Sequence, residues 1–150
     1  LERSFASATI IAGSLPDRVR INAAFREISL GQWEGVAMED IRKRHPRQWA
    51  LRGKNLKTFR PPGGESFADL AERVLPAFDD ICNTTPGDLL IVAHAGVNRV
   101  ILARILGLHL NHVLKIPQEY AAGHVIEMNR AKNNRLRVDN IHPAVLSTGS

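Results

Sequence analysis

The chain has 150 residues, 44% of them apolar, with 20 Lys and Arg against 15 Asp and Glu and a formal net charge of +5. That length suffices to bury a working core and fits a single domain over 1–150. The lone cysteine, Cys82, excludes an internal disulfide and suits a reducing cytoplasm, and the longest apolar run is far too short to span a bilayer.

Arg3 to Leu15 is predicted as a helix, with Phe5, Ala8, Ala12 and Leu15 on one face and Pro16 closing it. Val19, Ile21, Ala23 and Phe25 alternate with polar or small neighbours, which predicts a strand leading to Glu27. Met38 to Arg44 reads as a helix that ends near Pro46. Ser66 opens the next helix, with Asp69 placed for a capping box and Phe67, Leu70, Ala71, Val74, Phe78 and Ile81 as its buried stripe. Pro76 falls inside that pattern and should kink or break it. Thr85-Pro86-Gly87-Asp88 is a turn into Leu89–Ala93, which reads as a buried parallel strand. Val97, Val100, Ile101 and Ile105 then recur at helical spacing until Gly107. Val125 to Met128 and Leu136 to Ile141 flank Lys132-Asn133-Asn134 as a hairpin at the sheet edge. Alternating strands and helices imply an α/β sandwich.

The most informative stretch is Leu89 to Arg99. His94 lies where a strand gives way to a helix, the edge at which open α/β sheets bind ligands. A helix start also offers free N–H groups to an anion, so a titratable imidazole there points to phosphate chemistry.

Four segments, in order, resemble the histidine phosphatase superfamily, the phosphoglycerate mutase-like proteins. They are Leu1-Glu2-Arg3-Ser4 with Ser7-Ala8, Phe25 to Gly35, Pro62-Gly63-Gly64-Glu65-Ser66, and Ala93-His94-Ala95-Gly96-Val97-Asn98-Arg99. Ile116-Pro117-Gln118-Glu119-Tyr120 is a weaker echo of its α-ribazole phosphatase and broad-specificity phosphatase members. The resemblance implies a three-layer α/β/α sandwich and a phosphomonoesterase working through phosphohistidine. The family's N-terminal Arg-His-Gly, on its central strand, is absent from these residues. The chain is therefore read as an N-terminally truncated domain without that strand, its nucleophilic histidine expected ahead of Leu1. Uncovered strand edges and an exposed apolar seam should then leave it prone to aggregate.

By the same resemblance, Arg3 clamps phosphate, a role suited to a planar guanidinium fork. His94 stabilises the phosphoryl group, which it binds together with Ala95 at the helix start. Glu27 protonates the leaving oxygen and later activates water. Glu34 competes for that role but also fits a structural carboxylate in the Trp33-Glu34-Gly35 turn. Glu65 either caps a helix or approaches the pocket, and the role of Asn98 and Arg99 stays open. A non-catalytic phosphate-ligand binder or pseudoenzyme, and a mutase-type phosphotransferase, are the alternative functions.

No cofactor or metal is expected: His109 and His112 share a helical spacing without a flanking carboxylate or cysteine cluster. The implied partner is a small phosphorylated substrate, with no membrane and no nucleic acid, since no stacking aromatics accompany the charge. The basic residues Arg42, Lys43, Arg44, Arg47, Arg52, Lys54, Lys57 and Arg60 form either a solvated face or a lip that steers anions. Oligomeric state is left open by the sequence.

Overall fold

A computed structural model describes residues 2–119, 123–127 and 137–141. Helix α1 spans Glu2–Ala12 and ends before the predicted Leu15, with the Gly13 N–H closing the last turn onto Thr9 O at 3.1 Å. Its expected inner face is only partly covered: Ala8 and Ala12 are half-buried, whereas Phe5 and Leu15 are exposed. None of its residues is buried, and Ile10 is 79% exposed. Its strongest neighbour among the described elements is the short turn at Pro16–Arg18, too small to cover an apolar stripe.

The predicted strand over 19–25 is instead irregular chain that closes into a 3-10 turn at Ala23–Phe25. The Asn22 side chain accepts the Ala24 N–H at 2.9 Å, a local bond that competes with any ladder. Phe25 alone of the expected strand is buried.

Helix α2, Met38–Arg44, lies where the sequence places it. Helix α3, Pro46–Lys54, is absent from the predicted elements; its proline sits in the first turn, where a missing N–H costs nothing. Helix α4 spans Phe67–Thr84, and the capping box at its start is formed. Asp69 N–H donates to Ser66 Oγ at 3.2 Å and Ser66 N–H to Asp69 Oδ2 at 2.8 Å, a cap that contributes about 1 kcal/mol. The helix runs through Pro76 rather than breaking there. Pro76 is exposed, so the carbonyl that loses its partner can be hydrated.

Phe67, Leu70, Ala71, Val74 and Phe78 are buried as predicted, and Ile81 packs half-buried against the same core. Helix α5, Ala95–Ile105, buries Val97, Val100, Ile101, Leu102 and Ala103 against them. Phe25, Leu56, Val113 and Ile116 complete this core.

Residues 89–93 form no regular element and join no ladder among the described residues. Ile91 and Ala93 pack on the core, whereas Leu89 and Leu90 are exposed, Leu90 at 65%. This corrects the expected buried parallel strand: an apolar run alone does not make a strand, because two-sided burial and a ladder need neighbouring strands. The one ladder among the described residues joins β1, Gly123–Glu127, to β2, Arg137–Ile141, antiparallel with Val125 opposite Asp139. Met128, Leu136 and the predicted turn at Lys132-Asn133-Asn134 lie outside the described residues. No described helix is long and apolar enough to cross a membrane.

Exposed apolar surface of this kind favours self-association. A polypeptide of these 150 residues is expected to associate with rising concentration, and the pair Ile10→Lys and Leu90→Lys to shift it toward monomer in sedimentation velocity. An unchanged distribution would place the cause elsewhere.

Candidate active site

His94 occupies the cap position of α5 in extended conformation (φ −102°, ψ 166°), so its ring stands at the helix start. Glu27 reaches the same place from the loop after Phe25. Its carboxylate accepts the Gly96 N–H at 3.1 Å on Oε1 and 3.3 Å on Oε2, and the Ile28 N–H at 2.9 Å. The Gly96 N–H lies in the first turn of α5, has no helical partner and so needs such an acceptor. Asn98 N–H bonds His94 O at 2.9 Å, and no acceptor for the Ala95 N–H lies among the described residues. Gly96 is required for this approach: a Cβ there would collide with Glu27 Oε1.

Helix α1 meets His94 through Ser4, whose Oγ lies 3.4 Å from Nε2. Arg3 is exposed in the same turn. A cleft of about 170 Å³ opens beside Glu27, lined also by Arg52, Glu65, Ala95, Gly96 and Arg99. Glu27 and Ala95 are thus brought to one cavity, while His94 and Arg3 are not among its lining residues.

The two arginines add positive charge that spacing alone does not single out. Arg99 is held by its Nε–H to Ile116 O at 3.1 Å, and Arg52 lies 5.2 Å over the Trp49 ring. Burial pushes the Arg52 guanidinium below its ordinary value. Beside Arg99, Asn98 Nδ2 donates to Gln118 Oε1 at 3.0 Å, so both residues tie the Ile116–Gln118 segment to α5. The rest of the basic stretch is partly spent on pairs: Lys43 with Glu39 at 2.8 Å, and Arg60 with Asp69 at 2.5 Å.

The loop carrying Glu27 is clamped to the Gly-Glu-Ser segment. Glu65 N–H donates to Ser29 O at 2.8 Å, Ser29 N–H to Glu65 Oε2 at 2.9 Å, and Gln32 N–H to Pro62 O at 2.9 Å. The backbones approach so closely that a Cβ on Gly64 would lie 2.7 Å from Ser29 O. Glu65 therefore does not cap α4, a task Ser66 performs; it lines the cleft and binds Arg73. Glu34 accepts the Leu30 N–H at 3.0 Å in its own exposed turn, the structural alternative. His109 and His112 stand edge to face at 6.4 Å, and no cluster of three metal-binding side chains occurs among the described residues.

The profile of the histidine phosphatase superfamily (branch 1) matches residues 1–141. The chain belongs to that superfamily. Histidine phosphatase folds of solved structure superpose on it. The α-ribazole phosphatase of Shigella flexneri does so with a TM-score of 0.78 and 22% identity over 92% of this chain and 68% of that one. The mycobacterial glucosyl-3-phosphoglycerate phosphatase gives 0.73 and 25% over 93% and 72%. Among curated relatives, a Gallus gallus 6-phosphofructo-2-kinase/fructose-2,6-bisphosphatase is 34% identical over 83 residues, 55% of this chain. The matched part is 17% of that relative's length, so the chain spans a small fraction of it.

Arg73 is the site-supporting residue that motif reading misses. Its signal was its place between Leu70 and Val74 at the edge of the buried stripe, where a charged residue needs a built partner. Hydrogen bonds from Arg73, then from the Ser29 N–H, with the charges of Arg73 and Arg26, outweigh burial and hold the Glu65 carboxyl down to about 2. A carboxyl depressed on folding stabilises the native state above its unfolded pKa, and that stability is lost as pH falls through the folded one. Thermal stability should therefore drop between about pH 5 and pH 2, and Glu65→Gln should flatten that part of the melting-temperature profile. Gly96→Ala should displace the Glu27 carboxylate and cost about 1–3 kcal/mol in urea unfolding, with less added loss when Glu27 is already Gln.

Proposed function

We propose that this chain contributes the proton-transfer and phosphoryl-holding groups of a phosphomonoester hydrolase, in a three-layer α/β/α sandwich. The observation that carries the reading is the Glu27 carboxylate bonded to the Gly96 N–H, two residues beyond His94 at the same helix start. An acid/base and an anion-binding edge are thereby adjacent. The phosphatase names of the superposing structures support the reaction class. A small phosphorylated substrate is the ligand proposed for the cleft beside Glu27, and the single cysteine favours a cytoplasmic setting.

The chemistry proceeds in two steps. A nucleophilic imidazole, from the family motif these residues do not contain, forms an N–P bond as the substrate P–O bond breaks, and Glu27 gives its proton to the departing alkoxide. Water then attacks phosphorus while Glu27 takes its proton; the N–P bond breaks and inorganic phosphate leaves. His94, Arg3 and the Ala95 N–H offset the charge on the transferring oxygens, where fixed donors lower the barrier most.

In the natural gene product carrying these residues, His94→Ala should lower kcat about 10²–10³-fold in steady-state assays. Wild-type turnover would remove His94 from the site. Glu27→Gln should lose about 10²–10⁴-fold on alkyl phosphates and much less on nitrophenyl phosphate, whose leaving group needs no proton. Equal losses on both would end the general-acid assignment.

A further inference from the structure

We infer that Arg73, locked to Glu65, is the positioning residue that sets where the Glu27 carboxylate stands; the inference rests on the acid/base reading of Glu27. Residues 24–29 join no strand, so their carbonyls must find donors elsewhere. One guanidinium supplies three of them, and the Glu65 N–H serves Ser29 O. Arg73 Nη1 donates to Ala24 O at 2.6 Å and Arg26 O at 2.9 Å, and Nη2 to Glu27 O at 3.1 Å. The other edge of the fork meets Glu65, Nε to Oε1 at 2.9 Å and Nη2 to Oε2 at 2.8 Å. An arginine has five N–H groups, and these five bonds engage all of them.

The arrangement brackets Glu27 from both sides. Its own carbonyl is held by Arg73, and Ser29, two residues on, is held by the same carboxylate that Arg73 binds. Both partners are largely shielded, with side-chain exposures of 17% for Arg73 and 16% for Glu65. Arg73 is anchored on α4 beside Leu70 and Val74, each 0% exposed, so the fork inherits the stiffness of the core. At its outer end, Glu27 depends on the Gly96 and Ile28 N–H groups, which orient the carboxylate only if the backbone beneath it is fixed. Lysine cannot replace this fork: an ammonium offers three donors from one point and cannot serve carbonyls and a carboxylate on opposite edges. A shift of about 1 Å in a reacting group costs on the order of 10²-fold in rate.

The test uses the natural gene product, Arg73→Lys and Glu65→Gln, and a series from nitrophenyl to alkyl phosphates. Both variants should copy Glu27→Gln by losing at least about ten-fold more kcat on the poorest leaving group than on the best, as expected when proton donation is impaired. Combining Arg73→Lys with Glu27→Gln should add little to Glu27→Gln alone. Glu65→Gln keeps the side-chain shape, so it decides the matter if Arg73→Lys does not fold. Equal losses across the series, or full additivity with Glu27→Gln, would overturn the positioning role while leaving Glu27 as the acid. A flat series for Glu27→Gln itself would overturn both.

Discussion

A buried or half-buried backbone must satisfy its polar groups, and this constraint governs the candidate site. The segment bearing Glu27 has neither helix nor ladder to do so. It relies on a single guanidinium from α4, a carboxylate from the Gly-Glu-Ser segment, and backbone contact that only glycines at 31 and 64 allow. Take those away and Glu27 has no defined place. The unusual concentration of hydrogen bonds on Arg73 follows from that need.

The supports depend in turn on the packing of α4 against α5. Helix α4 carries Arg73 and begins at the Ser66–Asp69 cap, directly after Glu65. Helix α5 begins at Ala95, directly after His94, and offers its Gly96 N–H to Glu27. The core between the two helices therefore fixes the distance between the proposed acid and the proposed anion site. Core stability and site geometry are one property here, because the same two helix starts serve both.

Elsewhere the apolar surface is less complete. Helix α1 and residues 89–90 leave large apolar side chains in solvent, although α1 still brings Ser4 to His94. Superposition on histidine phosphatase structures covers most of this chain but only about 68–72% of the two neighbours compared. The organisation of the site thus rests on the α4–α5 frame rather than on a continuous sheet within the described residues.

Much of this was legible in the sequence where the determinants are local. The capping box, the α4 stripe, the start of α5 after His94 and the family itself all follow from short-range pattern, because caps and helical periodicity are satisfied within a few residues. The loop role of Glu34 was legible as one of two readings. Strand formation at 19–25 and 89–93 was not, since a ladder needs a partner that no local pattern supplies, and Asn22 offered the backbone a nearer one. The Glu27–Gly96 contact and the five bonds of Arg73 were decided by tertiary structure alone. They join residues as many as 69 positions apart, and only the packed α4–α5 core brings such groups within hydrogen-bond reach.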